Sequence, residues 1–534
     1  MPAVQLPLPL GTKMNILVGA QRARFLSRYP RNIVDEVTSC YKKGYFWTTA
    51  YKQKRWDGKL HLLSTGGAFP SGVLSLVTEA LTKAGFPVEL FMPEGFEFLP
   101  VVNPITGPFG SLTPWDYQVD AVKRVLRANY PGDQRGVLRI ATGGGKTLVG
   151  AMIAHAFDVP TLVLVHGQQL VDQTYERFCE FLGSERVGII MAETNKPGKF
   201  LIGSIDTLAS RLYVRDPYVL SLLRESRVVI ADEAHRVGKG DRTFRAILDA
   251  CPAQVRVGMS GTPFTKDEET DLVLMGCTGP LLVDVPPERL QRQGKLAQAG
   301  LIVYEVSEPA GCSHYNWREA LNYLIIGNEG RSRRIMELAV ERAKTGKRVL
   351  VVGGFSVKLV RNLEAEYVAL KKGDPTLPPA IFIARKDMAS VSYRSIVNKA
   401  VADLRSGALS ILVSTVIFDE GTDVPDLDVV ILAAPTKSFV RVMQRIGRGL
   451  RIKEGGHSLE VIDFLDLTNP YLLKHFKARL KVYEDEKIFS TISVYESGVA
   501  QQQPVTASLE QYDDDDGEDQ EFLWPNNKAE KTSV

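Results

Sequence analysis

The run Ala141-Thr142-Gly143-Gly144-Gly145-Lys146-Thr147 has the residue types needed to hold a chain of phosphates. Three glycines let the backbone curl tightly and turn its N–H groups toward phosphate oxygens. The helical pattern from Leu148 to Phe157 would add the positive end of its dipole. Lys146 can reach the β- and γ-phosphates, and the Thr147 hydroxyl can ligate Mg2+. The longer pattern G-x-x-x-x-G-K-[ST] calls for glycine at 140, where Ile140 stands.

Downstream, the apolar run Arg227 to Ala231 leads into Asp232-Glu233-Ala234-His235. Adjacent carboxylates at a strand end, beyond a phosphate loop, suit metal-assisted phosphoryl transfer. Asp232 would hold Mg2+ through water, Glu233 would orient and deprotonate the attacking water, and His235 could link the site to its surroundings. Taken alone, such a quartet could equally be an ordinary acidic loop. Its place after Lys146 and ahead of Ser260-Gly261-Thr262-Pro263 argues for the catalytic role. Upstream, Gln118 follows Leu112-Thr-Pro-Trp-Asp-Tyr at the start of a helix. Its amide offers a donor and an acceptor, suited to an adenine edge; the alternative is an exposed glutamine on a capped surface helix.

A second group lies far along the chain. In a helix, Gln444, Arg448 and Arg451 share one face (i, i+4, i+7). A pair of arginines neutralises charge developing on a transferring phosphate. Arg448 and Arg451 are therefore expected to act as arginine fingers across a cleft, supported by Gln444 and Arg445. Without the first group, the same segment would read as a solvated basic helix. Thr415, after a strand, could contact a nucleic-acid phosphate. Gly421 permits a tight turn, and Asp423 could touch the nucleotide ribose or Arg451.

These residues need a scaffold that brings them to one edge. Val137 to Ile140, Thr161 to Val165, Arg227 to Ala231 and Val255 to Met259 are continuous apolar runs, expected where both faces of a parallel sheet are covered. Arg348 to Val352, Ala380 to Ile383, Ser410 to Val413 and Val429 to Leu432 form a second set. The fold class is α/β with two tandem doubly wound parallel-sheet domains, at 112–285 and 296–485. In such sheets ligands bind beyond the carboxyl ends of the strands, where the motifs fall. Pro- and Gly-rich stretches at Pro93 to Pro114 and Val285 to Gly300 read as junctions, and periodic patterning fades after about Val482.

Residues 1–104 predict a small α+β domain with nucleic-acid-binding character. Aromatics and cations interleave in Trp47-Thr-Thr-Ala-Tyr51 and Lys52-Gln-Lys-Arg-Trp56-Asp57-Gly58-Lys59. Lys52, Lys54, Arg55 and Lys59 are the candidate phosphate contacts. The other reading is a β-hairpin with Asp57-Gly58 as its turn and Trp56 in the core. A helix start is expected at Gly72-Val73-Leu74.

Bulk properties narrow the class. Apolar residues make 44% and charged residues 24% of the 534, as in globular protein. Net charge is +3, but seven acids lie between Asp513 and Glu521, so the folded body is more basic. Residues 500–534 read as a disordered acidic tail: a solubilising end, a docking peptide for a recombination or single-strand-binding partner, or a DNA mimic. Cys40, Cys179, Cys251, Cys277 and Cys312 form no CxxC pair. No run reaches the ~18 apolar residues of a membrane span, and no secretion signal is apparent, so a cytoplasmic location is expected (the host's, if the chain is phage-encoded).

Together, TGGGKT, DEAH, SGTP, STVIFDEGTD and QRIGRGLR, in this order, resemble the DEAH-type superfamily 2 helicases over roughly residues 110–485. The shorter phosphate loop is the form those helicases use. The likeness is greatest to UvsW-type phage recombination helicases, and the WDGK block with its Gly-Val-Leu segment looks like their N-terminal domain. The resemblance implies two RecA-like lobes with ATP and Mg2+ between them. It also implies that nucleic acid crosses both lobes, gripped by segments containing Gln169, Ser204, Thr207 and Phe355. The expected activity is an ATP-dependent helicase or translocase on branched or duplex DNA. Alternatives are a duplex translocase that remodels bound proteins, an RNA helicase, or a sensor whose ATPase is a switch.

Overall fold

A computed structural model of the chain describes residues 8–106, 109–127, 133–238, 242–264, 267–306, 311–354, 356–384, 392–415, 427–434, 458–486, 489–496 and 499–501. The N-terminal domain is built on Met14–Val18 (β1), Arg22–Phe25 (β2), Ser39–Tyr41 (β3), Lys59–His61 (β4), Ala68–Pro70 (β5) and Val88–Phe91 (β6). Strands β5-β2-β1-β6 form one sheet, and β3 and β4 form a separate antiparallel ribbon. Burial alternates along β1 and β2, as expected for a sheet with one covered face. That face packs on the helix Leu74–Lys83, which begins at the expected Gly72-Val73-Leu74 after a short 3-10 turn.

The anticipated hairpin is only partly found. β4 pairs with β3, but Asp57-Gly58 is not a two-residue turn between them. The connection contains the 3-10 helix Tyr45–Trp47 and the helix Thr49–Lys52. Trp56 is half-buried, and its indole N–H donates to the Lys59 carbonyl at 2.9 Å.

The first lobe contains Arg135–Ile140 (β7), Thr161–Val165 (β8), Val187–Met191 (β9), Thr194–Lys196 (β10), Phe200–Ser204 (β11), Val228–Asp232 (β12), Val255–Ser260 (β13) and Leu281–Val285 (β14). Their order is β10-β9-β11-β8-β12-β13-β7-β14, parallel except for the β9–β10 pair. Helices cover both faces, so β8 is buried at every residue.

The helix Glu268–Cys277 serves two cores. Its Leu274 lies in the core of the first lobe, while Leu272 and Met275 pack into that of the N-terminal domain. Gly72 approaches this helix so closely that a Cβ there would lie 2.0 Å from the Met275 carbonyl oxygen. Only glycine fits at such a crossing.

The second lobe contains Ala299–Val306 (β15), Val349–Val352 (β16), Ala380–Ile383 (β17), Ile411–Ser414 (β18), Val429–Leu432 (β19), Leu459–Asp466 (β20), Phe489–Glu496 (β21) and Val499–Gln501 (β22). Their order is β17-β18-β16-β19-β20-β15-β21-β22. The sheet thus continues beyond 485: β21 runs parallel to β15, and β22 folds back on β21. The stretch expected as a junction, 285–300, holds the helix Pro287–Arg292 and the start of β15.

Two carboxylates are buried in β20. Asp463 accepts from Arg479 at 2.8 and 3.1 Å and from the Tyr483 hydroxyl at 2.7 Å; Asp466 pairs with Arg331. Each charge is matched by a guanidinium, which offsets the cost of removing it from water. Among the described residues no helix is long and apolar enough to cross a membrane.

Candidate nucleotide and nucleic-acid site

Because β7, β12 and β13 run parallel, their carboxyl ends share one edge of the first sheet. β13 lies between the other two, so the phosphate loop after Ile140 and the acid pair at Asp232 flank the turn that begins at Ser260. Two strand spacings separate the loop from the acids, about 10 Å, a span suited to a triphosphate. The two sides also touch the middle turn: a Cβ on Gly261 would lie 3.4 Å from the Thr142 hydroxyl oxygen.

The loop is shaped by its glycines. Gly143 and Gly145 have φ of +84° and +76°, the left-handed region that favours glycine. A Cβ on Gly144 would lie 2.7 Å from Ile140 Cγ2, so the isoleucine where the longer pattern wants glycine packs against the loop. Lys146 and Thr147 open the helix Lys146–Phe157, and the Lys146 ammonium rests 3.4 Å from the Ile140 carbonyl oxygen. The helix N-terminus and the loop amides make this edge attractive to anions.

Gln118 sits at neither an open adenine edge nor an exposed surface. It is buried, donates from Nε2 to the Gly144 carbonyl at 3.0 Å, and accepts at Oε1 from the Trp115 N–H at 2.9 Å. The Tyr117 hydroxyl donates to the same carbonyl at 2.7 Å. Burial holds that phenol well above its ordinary range, so it remains a donor. Tyr117 is a site residue that sequence reasoning missed. Its signal was the tyrosine immediately before Gln118.

The acidic segment is equally constrained. Glu233 has φ +50°, unusual for a non-glycine residue and a form of local strain common at functional sites. Its backbone N–H donates to Asp232 Oδ1 at 3.0 Å, and its carboxylate lies 3.2 Å from His235 Nδ1. His235 Nδ1 is also 3.1 Å from the Ser260 hydroxyl, which accepts from the Thr262 N–H at 3.2 Å. His235 therefore connects the acid pair to the Ser260 turn, with Ser260 as its partner.

Among the described residues no group of three or more His, Cys, Asp or Glu could hold a metal ion. Mg2+ commonly keeps its waters and takes one or two carboxylates plus substrate phosphates, and the Thr147 hydroxyl with the Asp232 carboxylate fits that pattern.

At the same edge, β8 and β11 are parallel neighbours with Val165 opposite Ser204. The segments holding Gln169 and those holding Ser204 and Thr207 are thereby brought together, and His166 Nδ1 lies 3.9 Å from Asp206 Oδ2. The Ser204 hydroxyl caps the helix Ile205–Tyr213, and the Thr207 hydroxyl accepts from the Ala192 N–H at 2.9 Å. In the second lobe Thr415 is buried just beyond β18 rather than presented at the surface. Phe355, Gly421, Asp423, Gln444, Arg448 and Arg451 lie outside the described residues. Lys52, Lys54 and Arg55 are exposed on the N-terminal domain, with Lys59 half-buried.

Residues 111–265 match the family model for the type III restriction enzyme res subunit, and residues 391–453 match that for the helicase conserved C-terminal domain. The chain is 22% identical over 494 residues to the ATP-dependent DNA helicase uvsW of Enterobacteria phage T4, covering 83% of this chain and 91% of that one. It is 25% identical over 388 residues to the DNA 3'-5' translocase XPB2 of Sulfurisphaera tokodaii, covering 64% and 79%. Two further curated relatives, from Saccharomyces cerevisiae and from Acanthamoeba polyphaga mimivirus, are 22% and 24% identical, and the chain spans only 51% and 64% of their lengths. The crystal structure of T4 UvsW aligns over 91% of this chain and 100% of that chain at 18% identity, with a TM-score of 0.40.

Proposed function

For a chain that belongs to the superfamily 2 helicases, as its paired domains place it, we propose the work of an ATP-driven DNA helicase or translocase on branched or duplex DNA. The observation that carries this reading is the convergence of the Lys146 loop, Asp232-Glu233 and the His235–Ser260 contact on one edge of the first sheet. Lys146 leaves the Ile140 carbonyl to meet the β- and γ-phosphates. Glu233 orients and deprotonates the attacking water, with its carboxylate steadied by His235. Thr147 and Asp232 would hold Mg2+, which when bound offsets charge on the phosphate oxygens. Arg448 and Arg451, supported by Gln444, act as fingers from the second lobe, and Asp423 and Gly421 border the nucleotide.

His235 and Ser260 give hydrolysis a route to the DNA track along the same edge, where the segments holding Gln169, Ser204 and Thr207 meet the phosphate backbone, with Phe355 assigned to the same track. Phosphate contacts carry no sequence information, as a walking motor requires. DNA rather than RNA is supported by the similarity to the phage DNA helicase, which extends beyond the motor lobes. The Sulfurisphaera tokodaii relative, named a DNA translocase, supports movement on DNA, with a duplex translocase that remodels bound proteins as the second reading, while the mimivirus relative is named for RNA. The acidic tail is read as a solubilising end, with docking of a recombination or single-strand-binding protein as its alternative, and the chain is assigned to the cytoplasm.

The test is ATP hydrolysis and strand separation on single-stranded DNA, duplex, fork, four-way junction and RNA, with Lys146→Ala as control. Turnover stimulated by DNA and lost in the variant is expected. Equal turnover without any polynucleotide contradicts the motor.

A further inference from the structure

Between β3 and β4 the N-terminal domain turns a set of aromatic rings outward. Tyr41 stacks on Tyr45 with centroids 4.6 Å apart, Tyr45 meets Phe46 edge-on at 5.5 Å, and Phe46 leans on Trp47 at 5.0 Å. These rings do not belong to the core of the domain, which holds Phe25 and Phe69. Trp47 is 62% exposed, Tyr41 50% and Phe46 47%. A contiguous exposed apolar patch marks an interaction surface.

The rim of the patch is cationic. The Lys52 ammonium lies 5.4 Å from the centre of the Trp47 ring, and that of Lys59 lies 5.0 Å from Tyr41. Lys54 and Arg55 are exposed in the same connection. An apolar protein surface laid over this patch would strip water from those cations without replacing it. A single strand of nucleic acid satisfies both chemistries: bases stack on rings, and phosphates meet the ammonium and guanidinium groups.

Tyr45 is closely backed by the chain. Gly58, at φ +84°, sits so close to Tyr45 that a Cβ would lie 2.4 Å from its Cδ2. The patch is also tied to the first lobe. The Lys43 N–H donates to Glu269 Oε2 at 3.4 Å, and Lys42 Nζ lies 3.8 Å from Glu269 Oε1. Glu269 belongs to the helix Glu268–Cys277, which follows the Ser260 turn of the nucleotide site.

We propose that Phe46 and Trp47 form the strand-separating element: at a duplex–single-strand junction the first unpaired base of DNA stacks on Trp47, while Lys52, Lys54 and Arg55 hold its phosphates. This rests on the DNA-motor reading above. As that element moves with the first lobe, it keeps a separated strand from re-pairing during the motor's step.

The test uses the full chain and a forked DNA with 2-aminopurine at the first unpaired position. The wild-type protein is expected to quench the probe. Phe46→Ala/Trp47→Ala is expected to lose the quench and bind the fork at least tenfold more weakly, while Trp47→Phe retains both. Blunt duplex affinity should change little. Unaltered quenching and fork affinity in the double variant overturn the assignment. So does an equal loss on blunt duplex, or a Trp47→Phe variant as defective as the double one. If the wild type quenches the probe but no polynucleotide stimulates its ATP hydrolysis, the stacking site stands and the motor reading falls.

Discussion

The Gln118 side-chain amide donates to the Gly144 carbonyl oxygen at 3.0 Å, so the helix before the phosphate loop holds the loop's central peptide. Gly145 preserves the contact: a Cβ there would lie 2.4 Å from Gln118 Nε2. Gln118→Glu keeps the acceptor for the Trp115 N–H but sets a carboxylate against a carbonyl. A buried hydrogen bond of this kind is worth about 1–3 kcal/mol when its partner is stranded, so we predict ATP affinity roughly tenfold weaker or worse by isothermal titration. Unchanged affinity would remove Gln118 from the nucleotide site.

Lys146 has little structural role to lose. Its described protein contact is the long 3.4 Å bond to the Ile140 carbonyl. Lys146→Ala should therefore melt within a few degrees of wild type while ATP turnover drops by about a hundredfold or more. A large fall in melting temperature would instead make the lysine a structural residue.

In the second lobe, Arg479 and Asp463 are both almost wholly buried and joined by two hydrogen bonds. Arg479→Met strands the carboxylate and should cost about 3–5 kcal/mol in denaturant unfolding. Adding Asp463→Leu should recover much of that loss, since an apolar pair removes the buried charge. Simple additivity of the two substitutions would show that the pair is not coupled.

His61 gives the N-terminal domain a pH dependence. Its two ring nitrogens lie 2.8 Å from Asp35 and 2.8 Å from Asp57, an arrangement in which the imidazolium donates to both. The hydrogen bond to Asp35, then that to Asp57, outweigh partial burial and raise the His61 pKa. A raised folded value means the stabilisation is complete below the unfolded value of about 6.5 and is lost as pH climbs through the folded one. Thermal melts of wild type should fall relative to His61→Gln between about pH 6 and pH 8; parallel curves would refute the linkage.

The central strands of both lobes were legible because covered parallel strands must be apolar on both faces, as at Thr161–Val165 and Val429–Leu432. The strands at Val187–Met191 and Phe200–Ser204 were not. Gly188 and Gly203 interrupt their apolar runs, and each has close neighbours where a Cβ would project. Strand Leu459–Asp466 carries two buried carboxylates, Asp463 and Asp466, that a strand pattern excludes. Their partners Arg331 and Arg479 lie on helices elsewhere in the sequence, so the compensation appears only in the fold. At the site, the motifs identified the phosphate loop and the acids. They did not reveal that Gln118 faces the loop's backbone, because that depends on where one helix lands.

The helix Glu268–Cys277 also has a practical consequence for anyone trimming the gene. Cutting within the Pro- and Gly-rich stretch after Phe91 would leave a motor whose flank bears naked Leu272 and Met275. Such a fragment should be sticky in solution, and polar replacements at those two positions would be the remedy to try first.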